Sequence, residues 1–292
     1  RRHFAKCEAQ PSWKPGSRTA IVSLPPEVVR GSMCNSGDAL AQARPIGGKV
    51  VWYFRHGQST GNVAKVAAND ADRLMGSGRR HLEEYQASLD YIDTPLTEAG
   101  KDQARAAQQK IAGWSEKPTL IVCSSMTRAI QTAAIIFERE IKAGTAKLII
   151  RPELREYWPD NNENQGRPIS DLRNCRHLRE LPCWLQVQEA LSDEATCDWR
   201  CQWDECWARG AAGAWQDHCG GLARLRFFQM WFSERPENAI AVVAHFSCIN
   251  NLLSLEPWAD GYERSEWRGV QPACDGGIAK RFVFDNCSWV AL

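Results

Sequence analysis

Lys49-Val-Val-Trp-Tyr-Phe54, followed at once by Arg55-His56-Gly57, sets a short apolar run against an abrupt polar turn. β-Branched and aromatic side chains fill the run, and its length suits a strand buried on both faces. Three later segments repeat the pattern: Thr119-Leu-Ile-Val-Cys123, Lys147-Leu-Ile-Ile150 and Ala239-Ile-Ala-Val-Val-Ala244. A fifth, Lys280-Arg-Phe-Val-Phe284, alternates more strongly and reads as an edge strand.

Helices are expected between these runs. Thr97 reads as an N-cap, with Ala104, Ala107 and Ile111 following at helical spacing. Ala129, Ala133, Ile136 and Phe137 mark a second helix that ends near Gly144, and Leu222, Leu225, Phe228 and Phe232 a third. Strands alternating with helices predict an α/β fold, a three-layer α/β/α sandwich on a mostly parallel central sheet. Two insertions interrupt the plan. Residues 63–93 are polar and carry Arg79-Arg80-His81, and residues 157–216 are rich in Trp and Cys. Both start just after a strand, so both are expected over the same edge of the sheet, with Trp184, Trp199, Trp203 and Trp207 on the apolar side of a helical cap.

The chain has 292 residues and 43% hydrophobic content, enough for one such domain over residues 49–292. Residues 1–48 are rich in Pro, Gly, Ser and Arg without periodicity and read as a tail or linker, either a disordered extension or the remains of a targeting peptide. Thirty-six basic residues balance thirty-five acidic ones, which gives no reason to expect a nucleic-acid partner. No apolar run approaches the ~20 residues of a membrane span. Twelve cysteines fall short of a disulfide scaffold, so reduced thiols and an intracellular, cytoplasmic location are expected, with organelle targeting left open. Cys197, Cys201 and Cys206 have no Cys-x2-Cys pair among them, and no metal is expected.

The position of the polar residues is the strongest signal. Ligand sites of open parallel sheets form where the carboxyl ends of strands run into loops. The first strand ends in Arg55-His56-Gly57, the second in Ser124-Ser125-Met126-Thr127-Arg128, the third in Leu154-Arg155-Glu156 and the fourth in His245. Two arginines, two histidines and a carboxylate at one edge suit a phosphate. His56 can attack phosphorus only as neutral imidazole, with Nδ1–H pinned to a carbonyl and Nε2 free. Gly57 is expected to let the backbone fold close enough for that. Arg55, Arg128 and His245 would hold the phosphate with help from Asn62, and Glu156 would be the proton donor. Glu153, Asp160 and Glu163 on the same loop remain alternative acids. Gln58, Arg79, Arg80 and Arg167 are assigned to further substrate contacts; His81, Arg173 and Arg176 could join them or form a solvated face.

Arg55-His56-Gly57-Gln58-Ser59-Thr60-Gly61-Asn62 resembles the signature of the histidine phosphatase superfamily, branch 1, the phosphoglycerate-mutase-like fold. The rest of the layout follows in order. Thr94-Pro95-Leu96-Thr97-Glu98-Ala99-Gly100 resembles its "LTxxG" helix start, and Ser124 to Thr132 its "SxxxRAxQT" motif. Leu154-Arg155-Glu156 resembles the acid motif, and Val243-Ala244-His245 the second histidine. The resemblance implies a phosphatase that hydrolyses a phosphomonoester through phosphohistidine on His56, without metal or other cofactor. Its substrate would be a phosphorylated small molecule or a phosphoprotein. A mutase on the same chemistry and a low-turnover phosphate-binding scaffold are the alternatives. Tyr157-Trp158-Pro159-Asp160 after the acid does not match the extended mutase stretch, which favours the phosphatase.

Overall fold

The computed structural model describes residues 49–156, 162–191, 225, 228–254 and 286–291. Strands β1 (Val50–Arg55), β2 (Leu120–Ser124), β3 (Lys147–Arg151), β4 (Ala239–Ala244) and β5 (Trp289–Ala291) pair in the order β3-β2-β4-β1-β5. The first four are mutually parallel, and β5 runs antiparallel to β1 at one edge. The predicted strand at Lys280–Phe284 lies outside the described residues; the observed edge strand follows it, where Trp289 opens a run too short to stand out by periodicity.

Side-chain parity divides the core in two. Trp52, Phe54, Ile121, Cys123, Leu148, Ile150, Ala241 and Val243 enter one apolar cluster. Their neighbours Val51, Tyr53, Leu120, Val122, Ile149, Ile240, Val242 and Ala244 enter the other. Both clusters are closed by helices, which is why the strands are apolar on both faces. On the first face lie α3 (Glu98–Ala112), α4 (Thr127–Ile136) and α5 (Glu138–Ala143), contributing Ala104, Ile111, Ile130, Ala133 and Ile141. On the second lies α9 (Phe246–Ser254), with Cys248, Ile249 and Leu252, beside Leu225 and Phe228. The fold is the three-layer α/β/α sandwich.

Local chemistry sets the helix ends. Thr97 Oγ1 accepts from Gly100 N at 2.9 Å and caps α3. Gly144, at φ 68°, stops α5 in the left-handed conformation that glycine adopts without penalty. The stretch 63–93 is a helical hairpin, α1 (Thr60–Met75) and α2 (Arg80–Ala87). Its periodicity was hidden because Val63, Val66 and Leu74 lie exposed on α1. Helix α2 has no cap of its own; Asp72 of α1 accepts from His81 N at 2.9 Å and Leu82 N at 3.0 Å instead.

Within 157–216, residues 162–164 reach Arg128 at the sheet edge, whereas the helices that follow depart from the expectation of a cap over it. Helices α6 (Ile169–Asn174), α7 (Arg176–Arg179) and α8 (Trp184–Ala190) send Leu172, Leu178 and Val187 into the first cluster, where Trp184 also packs. Apolar spacing in these short helices is satisfied by the core itself. Trp199, Trp203 and Trp207 lie outside the described residues. Among the described residues, no helix is long and apolar enough to cross a membrane.

Phe54 is 0% exposed and meets Phe137 edge-on at 5.4 Å. Phe54→Ala should lower the unfolding free energy by about 3–5 kcal/mol. Urea denaturation should read this as a lower midpoint at unchanged slope.

Candidate active site

Parallel pairing of β1 with β4 matches Arg55 to Ala244, so the next residue of each strand, His56 and His245, emerges beside the other. The ladder continues one step further, with His56 N donating to Ala244 O at 3.0 Å. The two rings stand 4.9 Å apart at 60°. Strand β2 adds Ser124, whose Oγ lies 2.8 Å from His245 Nε2. Arg128, in the first turn of α4, donates from Nε to His56 Nε2 at 3.3 Å. Arg55 leaves the end of β1 with its guanidinium over the Phe246 ring at 5.7 Å.

His56 Nδ1 lies 2.6 Å from Gly57 O, an arrangement that makes Nδ1 the donor and leaves the Nε2 lone pair towards Arg128. Burial, and behind it the charges of Arg128 and Arg55, hold His56 well below the ordinary histidine value; the Gly57 bond opposes this only in part. The imidazole is therefore neutral, buried (3% exposed) and ringed by cations.

The loop bearing it is clamped from below by α3 and α4. A Cβ on Gly57 would sit 2.6 Å from Gly100 O, and one on Gly100 would sit 2.1 Å from Gln58 O. Gly57 is needed for this close approach, not for an unusual backbone conformation at the Nδ1 contact, since its φ is not positive. Thr132 Oγ1 accepts from Gly57 N at 3.0 Å and donates to Arg128 O at 2.7 Å, tying the loop to α4. Gln131 Oε1 accepts from Leu96 N, and buried Asp93 takes both N–H and O–H of Thr127 at 2.8 and 2.6 Å.

The candidate acids separate clearly. Glu153 is buried in an ion pair with Arg151. Glu163 lies 2.5 Å from the Tyr85 hydroxyl, while its carbonyl accepts from Arg128 Nη1 at 2.9 Å. Glu156 accepts from Cys248 N at 3.0 Å and Ser247 N at 3.3 Å, at the head of the helix that follows His245. Asp160 is outside the described residues. Asn62 spends its Oδ1 on Ser59 N in the α1 capping box, which leaves its amide N–H groups as donors.

The residues assigned to further substrate contacts have the following surroundings. Gln58 Oε1 accepts from Thr97 Oγ1 at 2.9 Å. Arg167 donates to Ile92 O at 3.0 Å and pairs with Asp93. Arg79 and Arg80 are exposed on the hairpin, Arg80 beside Glu84 at 3.6 Å. His81 binds Asp72 at 2.8 Å, Arg173 donates to Leu191 O, and Arg176 pairs with Glu180 on the surface. Ser124 and Thr132 also belong to the site, and both stand inside the Ser124–Thr132 motif, the signal in the sequence that points to them. Among the described residues, no group of three or more His, Cys, Asp and Glu could hold a metal ion.

The family model described as histidine phosphatase superfamily (branch 1) matches residues 51–212. The chain belongs to this superfamily. Fructose-2,6-bisphosphatase TIGAR B of Danio rerio is 34% identical over 129 residues, 44% of this chain and 41% of that protein. The protein named "Probable phosphoglycerate mutase GpmB" of Photorhabdus laumondii is 33% identical over 106 residues, 36% of this chain and 37% of its own. The chain thus spans about two fifths of the length of these relatives. Among solved structures, the α-ribazole phosphatase of Shigella flexneri is 18% identical with a TM-score of 0.44, covering 83% of this chain and 89% of that one.

Gly100→Ala drives a Cβ into the backbone beneath His56 and should cost about 3 kcal/mol, read by denaturant midpoint. A second outcome concerns pH. Folded His56 resists protonation, so the unfolded chain takes up that proton first as pH falls below about 6.5. For this group stability is complete above about pH 7 and is lost as pH falls through 6.5 towards the depressed folded value. His56→Asn should therefore lose less of its denaturant midpoint than wild type between about pH 7.5 and 5.

Proposed function

We propose that this histidine phosphatase superfamily member is a metal-independent phosphomonoesterase that carries the phosphoryl group on His56. The observation behind this reading is the state of that side chain. Its Nδ1 is bound to Gly57 O, and its Nε2 lone pair faces the Arg128 guanidinium, with His245 alongside. A phosphate drawn to Arg128, Arg55 and His245 would meet a neutral nucleophile aimed at phosphorus.

Nε2 attacks phosphorus as the bond to the ester oxygen breaks, and the leaving oxygen takes a proton from Glu156. Water then attacks phosphohistidine, gives its proton to Glu156, and releases inorganic phosphate and free His56. The arginines and His245 neutralise the non-bridging oxygens, and the Asn62 amide adds a neutral donor. As donor, Glu156 would keep its carbonyl oxygen as an acceptor for one backbone N–H, while the bond to its hydroxyl oxygen would weaken. The TIGAR B relative supports a small phosphorylated sugar as the substrate class. The relative named as a mutase favours a second reading, in which an acceptor hydroxyl takes the place of water.

Phosphate release from p-nitrophenyl phosphate with EDTA present, between about pH 5 and 8, tests the reading. Wild type should turn over and His56→Ala should fall to background. Glu156→Gln should lose about 100-fold on an alkyl phosphate, and less on p-nitrophenyl phosphate, whose leaving group needs no proton. Turnover surviving in His56→Ala, or wild type stopped by EDTA, would sink the proposal. A lasting phosphohistidine cleared only by an added hydroxy acid would favour the mutase.

A further inference from the structure

Arg128 carries five N–H groups in a planar fork. Its end is occupied: Nη1 donates to Glu163 O at 2.9 Å and Nη2 to Asn164 Oδ1 at 3.0 Å. The adjoining edge, Nε–H with the second Nη2–H, is the one turned to His56, where Nε reaches Nε2 at 3.3 Å. The 162–164 turn therefore decides which edge of the guanidinium the site receives. That turn is held in turn by α2. The Tyr85 hydroxyl lies 2.5 Å from Glu163 Oε2 and 3.0 Å from Gly61 O, and Asn162 Nδ2 donates to Ala87 O at 2.7 Å.

Tyr85, Glu163, Asn164 and Arg128 are 5, 6, 7 and 2% exposed, so these bonds form largely out of water's reach. Burial first, then the hydrogen bond and charge of Glu163, push the Tyr85 phenol far above its ordinary value, which keeps it a donor. There is no slack nearby, since a Cβ on Gly61 would lie 2.8 Å from Glu163 Oε2.

We infer that Tyr85 and Glu163 are positioning residues that set the phosphate-binding edge of Arg128, making α2 part of the active site through bonds and not through direct contact with substrate. This rests on Arg128 binding the phosphoryl group, as proposed above. Glu163 acts through its acceptor oxygen and its main chain, not by proton transfer. A carboxamide keeps that acceptor and gives up only the ion pair with half-exposed Lys65 at 3.6 Å.

The test measures the affinity of the full chain for inorganic phosphate by calorimetry, together with kcat for p-nitrophenyl phosphate and the thermal midpoint. Tyr85→Phe and Glu163→Leu should each weaken phosphate binding about ten-fold and lower kcat. Glu163→Gln, which still accepts from Tyr85, should stay within about two-fold of wild type. Wild-type phosphate affinity in Tyr85→Phe overturns the inference, even if its midpoint drops, because a purely structural role predicts that pattern. Lost turnover with intact phosphate binding in Glu163→Gln also overturns it and assigns Glu163 to the chemistry. Should Glu163→Leu fail to fold, Tyr85→Phe decides alone. Wild type that binds phosphate without turnover removes the phosphatase reading and leaves this one standing; wild type that binds none overturns both.

Discussion

The parallel register between β1 and β4 is the constraint from which the site follows. Hydrogen bonding matches Arg55 with Ala244, and one further residue on each strand delivers two histidines side by side. A shift of one residue would turn every side chain of β1 to the opposite face and move His56 away from its partner. The register is protected by burial on both faces: Trp52 and Phe54 fill one layer while Val51 and Tyr53 fill the other. Core packing and active-site geometry are therefore one requirement. Strand β2, paired to β4 through Cys123 and Val243, brings Ser124 to His245 by the same logic.

The electrostatic arrangement carries a cost to folding. Two arginine guanidiniums and a second histidine converge on an imidazole kept neutral by burial and by the charges of the arginines. Like charges brought together out of water repel, so the cluster costs stability. Contrast Arg151 and Glu153, equally buried but paired with each other at the end of β3. Arg128 differs in that its fork is anchored on a carbonyl and an amide oxygen, neutral acceptors that orient the cation without an ion pair. Asp93 complements this by capping the start of α4 with a carboxylate, which fixes the helix that carries Arg128.

Much of this was legible in the chain. Buried strands announce themselves as apolar β-branched runs, and the strand-to-loop boundaries named Arg55, His56, Arg128, Glu156 and His245 because polar residues follow such runs abruptly. Thr97 was readable as a cap since capping is a local bond within one turn. The hairpin at 63–93 was not readable, because α1 exposes apolar side chains and α2 borrows its cap from Asp72, eight positions before its first residue, Arg80. Nor were the protein partners of Gln58, Arg167 and Arg80, which are Thr97, Asp93 and Glu84, three contacts that single residue types do not encode.

Periodicity and motif order by themselves determined the layered α/β architecture, the superfamily and the positions of the polar residues at the strand ends, since each is encoded by neighbours within a few positions. Only the tertiary structure decided which tautomer His56 presents, which carboxylate stands at the head of the helix after His245, and which edge of Arg128 is turned inward. Those depend on contacts spanning tens of residues, Arg128 with Asn164 and Glu156 with Cys248 among them. Hydrogen-bond direction and distance are set there by how packed elements meet, which no local pattern of residues encodes.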